Sequence, residues 1–353
     1  NIKDNETKIR FEMEDCVMRK QKKILKPVVA LAACAALVIG ISYGNVTEKI
    51  IGTHMLSSES DNSATGKTEL LRMISDYENN GISSGITQIC EKRCVVIENA
   101  SWKERLATLL QCIIFIDEGA PFLRSKEFTR MVKGSDNYFV LVTRDSLEHL
   151  PYSIEEIYGM RQERDSQKYQ NAKRIYNETY QLYNLQAKED IQPDLVITED
   201  SNSGYEFYHK LFGETCCSVG GKSNILSYLQ KSREKEILAI VDGAAFGPEM
   251  QHVMQYMRDT RNKIVLYAPE SFEYLLLRAN IIDKTSEVTE KTYELADSRQ
   301  YFSWEEFYTD YLIEQTRNTI YEYSKKKLKV TYLTSGNFRK IVSQLPEQIR
   351  INC

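Results

Sequence analysis

The sequence predicts an α/β protein, with two parallel-sheet domains in succession closed by a helical tail. Three observations predict it. Short apolar runs recur, among them Ile113-Ile114-Phe115-Ile116 and Ile237-Leu238-Ala239-Ile240, and each stops at an acidic residue or a glycine-containing turn. Uninterrupted apolar runs of this length mark strands buried on both faces. Between them, apolar residues fall at helical spacing, so strands and helices alternate. Towards the C-terminus the strand runs stop and aromatic residues take over: Tyr301, Phe302, Trp304, Phe307, Tyr308 and Tyr311.

Composition bounds the reading. A chain of 353 residues has room for two domains. With 42% hydrophobic and 27% charged residues it is neither disordered nor collagen-like. Lys and Arg number 46 against 50 Asp and Glu, a net charge of −4. No bulk positive field exists, so any contact with nucleic acid must use a local patch. Of the 8 cysteines, Cys90 and Cys94 have no second pair at zinc-ligand spacing, and only 4 histidines are present, which argues against structural zinc. Several cysteines sit inside apolar runs, and the compartment reads as reducing.

Residues 1–49 open with an alternation in which Ile9, Phe11 and Met13 share a face, the pattern of a strand. A basic cluster follows (Arg19, Lys20, Lys22, Lys23, Lys26), then an uncharged apolar run over 27–43. That run is at the lower length limit for a transmembrane helix. It makes the membrane a candidate partner and leaves two localisations open, cytoplasmic or membrane-associated. A buried core helix is the alternative.

Residues 50–160 are expected to form the first sheet domain. Asp61 to Thr68 read D-N-S-A-T-G-K-T. Gly66, Lys67 and Thr68 match the end of the Walker A pattern G-x-x-x-x-G-K-[ST], with Asp61 where its first glycine belongs. In such a loop the backbone amides of Ser63, Ala64, Thr65, Gly66, Lys67 and Thr68 cradle phosphates. Lys67 reaches the β- and γ-phosphates, the Thr68 hydroxyl holds Mg2+, and the following helix points its positive end at them. Asp61 costs that turn backbone freedom and puts a negative charge near phosphate. The run 113–116 ends in Asp117-Glu118, a Walker B pattern, in which Asp117 would hold Mg2+ and Glu118 would polarise the attacking water. Strands are also expected at 94–98 and 138–143. None of Arg124, Arg130 and Arg144 is assigned as an arginine finger. Together these motifs resemble the P-loop ATPases of the AAA and OLD kind. The resemblance implies ATP and Mg2+ as cofactors, with Lys67 and Glu118 as catalytic residues.

Residues 161–192 are expected to be a helical linker, because Tyr176, Tyr180 and Tyr183 share one helix face. Residues 193–280 repeat a strand–helix unit. Strands are expected at 195–198, 215–219, 237–241 and 264–268, with helices at 204–212 and 223–231. Acidic residues follow three of the strands: Glu199, Asp242, and Glu270 with Glu273. In open parallel sheets the strand C-termini form the ligand crevice, and carboxylates gathered there call for a cation such as Mg2+.

The run 196–247 resembles a TOPRIM domain, the metal-binding module of bacterial primases, type IA topoisomerases and OLD-family nucleases. In that family a Glu ends the first strand, a glycine follows the second, and D-x-D ends the third. Glu199, Gly220-Gly221 and Asp242-Gly243 match, and Gly247 extends the match. Ala244 stands where the second Asp belongs, which removes one carboxylate and argues against nuclease activity unless Glu270 or Glu273 replaces it. The resemblance implies metal ligands at Glu199, Asp242 and Glu270, beside Thr68 and Asp117 of the first domain. An ATPase followed by TOPRIM is also the OLD order, here in a short form.

Residues 281–353 form the tail, helical over 297–323, with Ser303 and Glu306 placed as a capping box. Lys325, Lys326, Lys327 and Lys329 read as a solvated helix end, with phosphate contact as the alternative. The expected function is ATP binding and hydrolysis that controls a TOPRIM-like domain acting on nucleic acid. Two alternatives stand beside it: a nonenzymatic nucleotide-dependent switch, and a membrane-anchored binding protein with a degenerate P-loop. Oligomers are compatible with each.

Overall fold

The computed structural model describes residues 93–349 apart from 99–100, 118, 144–145, 164–175, 184, 186–189, 283–284, 291 and 297–299. The strand expected at 8–14, the apolar run 27–43 and the phosphate loop 61–68 lie outside the described residues, as does Glu118. The architecture is mixed α/β, with two small parallel sheets and C-terminal helices.

The first sheet holds β1 (Cys94–Val96), β2 (Ile113–Ile116) and β3 (Tyr138–Leu141), all parallel, with β2 central. Burial of all four β2 residues explains their uninterrupted apolar character. Helices α1 (Trp102–Thr108) and α2 (Lys126–Lys133) make the crossovers. Trp102 stacks on Phe122 at 4.6 Å, and Phe128 meets both rings edge-on. Ser125 caps α2 by accepting from the Phe128 amide at 3.1 Å.

The expected helical linker is instead a β-hairpin, with β4 (Tyr158–Glu163) antiparallel to β5 (Tyr176–Gln181). Tyr176 and Tyr180 fit a helix face at i, i+4 and a strand face at i, i+4 equally well. The β-forming residues Tyr and Thr and the pairing strand decide for the sheet.

The second sheet runs in the order β7-β6-β8-β9, all parallel. Its strands are β6 (Leu195–Thr198), β7 (Cys216–Ser218), β8 (Glu236–Ile240) and β9 (Lys263–Tyr267). The intervening helices are α3 (Ser203–Phe212), α4 (Lys222–Lys231) and α5 (Met250–Asp259). Helix α6 (Phe272–Arg278) follows β9. One face of the sheet packs Ile197, Ala239 and Leu266 against Ile225, Leu229 and Met250. The other packs Val196, Leu238 and Ile240 with Phe207, Leu276, Tyr308 and Tyr332.

The tail helices α7 (Ser286–Glu290), α8 (Thr292–Leu295), α9 (Trp304–Thr316) and α10 (Ser335–Val342) complete that second face. Ser303 accepts from the Glu306 amide at 3.3 Å, as expected, but the Glu306 carboxylate reaches back to the Phe302 amide at 2.7 Å, not to the Ser303 amide.

The two sheets meet through the segment 146–157. The Gly247 amide donates to Tyr152 O at 3.0 Å, and the Ile154 amide donates to Gly243 O at 2.9 Å. The Ser146 hydroxyl donates to Pro248 O. A methyl group at Gly247 would strike the Tyr152 ring.

The expected transmembrane helix and membrane partner find no support in the structure, and the run 27–43 that suggested them lies outside the described residues. Among the described residues no helix is long and apolar enough to cross a membrane. The longest described helix, α9, has 13 residues, about 20 Å at 1.5 Å per residue against a hydrocarbon core of about 30 Å.

Candidate functional site

Parallel pairing of β6 with β8 sets Thr198 opposite Ile240, so the residues that leave the two strands emerge side by side. The ladder continues one step further, with the Glu199 amide donating to Ile240 O at 3.2 Å. The Asp242 amide then donates to the Glu199 carboxylate at 3.2 Å. Gly220 and Gly221, both at positive φ, carry the chain from β7 into α4, and the Gly221 amide donates to Glu199 O at 2.6 Å. Residues with a Cβ resist that geometry. Lys222 opens α4 and donates to Ala245 O at 2.8 Å.

These strand ends border a crevice of about 30 Å3, lined by Glu199, Asp200, Asp242, Glu273, Tyr208 and Lys325 among others. Burial raises the Glu199 pKa to about 7, with Glu305 and Asp200 adding to the rise and the Asp242 amide and Lys222 opposing it. Asp242 is pushed well above the usual carboxylate range by burial, then by Glu305, Glu199, Glu273 and Asp200. Lys325 forms an ion pair with Glu305. Burial lowers its pKa, but Glu305, Glu273 and Asp242 more than offset this, so the ammonium is held charged.

Behind the crevice runs a buried relay. Tyr323 donates to the Glu273 carboxylate at 2.6 Å, and its hydroxyl lies 2.6 Å from that of Ser203. The Tyr208 hydroxyl, in a residue only 3% exposed, has no hydrogen-bond partner among the described residues. Ser271 is fully buried and starts α6 by accepting from the Tyr274 amide at 3.1 Å, and Glu273 in the first turn of that helix lines the crevice. Ser271→Ala is expected to cost about 1–2 kcal/mol in a denaturant melt, the usual loss of an N-cap.

The predicted ligands separate here. Glu199 and Asp242 come together. Glu270 does not join them: its carboxylate is buried and accepts from the Ser153 hydroxyl at 3.0 and 2.9 Å. Glu273 lines the crevice in its place. Ala244 is 2% exposed and its amide donates to Glu270 O at 2.9 Å. Asp117 follows β2 and is part-exposed, where a strand-end carboxylate belongs. Its predicted partners Ser63, Ala64, Thr65, Gly66, Lys67, Thr68 and Glu118 lie outside the described residues. Among the described residues no group of three or more His, Cys, Asp or Glu is arranged to hold a metal ion.

Sequence reasoning missed Glu305, Lys325 and Tyr208. Lys325 is not a solvated helix end: it sits in a turn, half-buried, against the acidic strand ends. The tail's aromatic pattern announces packing against the second sheet, but no local spacing names the residues that reach its C-terminal edge. No family model matches the chain, and no curated protein or solved structure matches it either.

Proposed function

We propose that the chain is a P-loop-type ATP-binding protein whose second sheet is a TOPRIM-like unit that uses a divalent cation to act on nucleic-acid phosphates. One observation carries the reading. Glu199 and Asp242 stand side by side at adjacent parallel strand ends, with the Gly220-Gly221 turn bonded to Glu199. Two carboxylates are enough for Mg2+, which usually keeps several waters and takes its remaining ligands from substrate phosphates. The oxygen-only donor set suits that hard cation, and the unpaired Tyr208 hydroxyl is a ready partner for a bound water. Lys326 and Lys327, exposed and next in the chain to the crevice residue Lys325, supply the local positive patch that the net charge of −4 denies the whole surface. The ATP-binding half rests on Gly66, Lys67, Thr68 and Asp117, with Glu118 as the residue that polarises water.

The test is Mg2+- or Mn2+-dependent cleavage of single- and double-stranded DNA and of RNA, with and without ATP. Glu199→Gln is expected to reduce cleavage by more than about 100-fold, beyond the usual cost of losing an outer-shell partner. Cleavage that survives Glu199→Gln would reject the assignment. Ala244, in place of a second carboxylate, favours one other reading, a nonenzymatic nucleotide-dependent switch. In that case ATP binding measured by calorimetry is lost in Lys67→Ala while no nucleic acid is cut.

A further inference from the structure

We propose that Lys325 is a built-in competitor of the divalent cation: its ammonium holds the acidic crevice closed until the cation displaces it. The inference rests on the reading of the crevice as a cation site.

Three observations carry it. Lys325, paired with Glu305, comes from the tail to line the same crevice as Glu199, Asp242 and Glu273, and Glu273 and Asp242 act on its charge beside Glu305. The backbone around it is fixed on both sides. The Ser203 amide donates to Lys325 O at 2.9 Å, and the Leu328 amide donates to the Glu206 carboxylate at 2.7 Å. Tyr323, 3% exposed, anchors the other flank through its bond to Glu273. The third observation is size. About 30 Å3 takes a water molecule or two, whereas Mg2+ retains several waters when it binds. The space left beside Lys325 is therefore too small for an ion that keeps all of its waters.

The unpaired Tyr208 hydroxyl points the same way. A buried phenol without a partner signals a missing water or ion, and Lys325, whose ammonium carries donors only, lines the crevice it borders. Displacement need not move the strap. Lysine has a long, flexible stem and its side chain is 33% exposed, so the head can swing to solvent while the Ser203 and Leu328 bonds hold. The exchange needs no chemistry. The ammonium leaves protonated, and the cation takes over the charge balance that it supplied.

Calorimetric titration of Mn2+ into the full chain tests this. The series is wild type, Lys325→Met, Lys325→Arg, and the double variant Lys325→Met with Glu305→Gln, which removes the ion pair as a unit and leaves no orphan charge. An Asp242→Asn series reports whether binding is at the crevice. Both variants without the lysine are expected to bind Mn2+ at least about tenfold tighter than wild type, while Lys325→Arg stays near wild type. Circular dichroism confirms that each is folded, and the double variant decides if Lys325→Met is not. Binding that needs Asp242 but is no tighter without Lys325 overturns the competition and leaves the cation site standing. If no variant binds Mn2+, the cation-site reading fails, and the competition with it.

Discussion

Asp242→Asn is expected to melt at a higher temperature than wild type at about pH 8 without divalent cation, and to lose any gain in stability from added Mg2+ or Mn2+. The reason is the price of gathering carboxylates at one strand edge. Asp242 and Glu199 both have pKa values raised by burial and by their acidic neighbours. Between the unfolded and folded pKa values the native state binds more protons than the unfolded state, so stability falls as pH rises through that window. For Glu199 the window runs from 4.5 to about 7, and the loss complete above it is roughly 3 kcal/mol. Asp242→Asn removes a carboxyl whose own pKa is raised, and with it that group's share of the loss, which flattens the slope. Thermal melts between about pH 5 and about pH 8, with and without Mn2+, check both parts. Wild-type stability that rises over this range would mean that the carboxylates are not crowded as described.

The second large effect is expected from a single methyl group. A Cβ at Gly243 would lie 2.8 Å from Ala268 O and 2.9 Å from Pro269 O, both backbone atoms of the turn after β9. Neither can rotate away, and the Gly243 amide is itself bonded to Pro269 O at 2.6 Å. Gly243→Ala must therefore push the two strand-end turns apart, at a cost of about 3 kcal/mol in a urea melt. Because Asp242 precedes it, cation binding should weaken as well. Ala at Gly213 is the control. Gly213, unlike Gly243, has positive φ and has nothing within 4 Å of the added carbon, so its cost is backbone strain alone and the cation response should remain.

How much of this was legible in the sequence depends on how local each signal is. β2, β6 and β8 were legible because a strand buried on both faces writes itself as an unbroken apolar run, and parallel order then puts the acidic exits of β6 and β8 on one edge of their sheet. Glu199 and Asp242 follow from that. The hairpin of β4 and β5 was not legible, since Tyr176 and Tyr180 satisfy both periods and only the partner strand breaks the tie. Glu270 and Glu273 both follow β9, and no spacing says which will face the crevice. Ser153, more than a hundred residues away, takes Glu270. Lys325 and Glu305 are twenty residues apart and meet because the tail folds back over the sheet edge, a long-range arrangement that no short pattern encodes.

The docking of Tyr152 on Gly247 has a mechanical consequence. Gly243 and Gly247 bracket the turn that begins at Asp242, and each is bonded through its backbone to the segment that leaves the first sheet, at Ile154 and Tyr152. With the ring of Tyr152 pressed against Gly247 there is no slack to take up. In kinematic terms the turn has no independent degree of freedom. The two sheets are geared, and a displacement of the segment after β3 arrives at the crevice as a displacement of its floor.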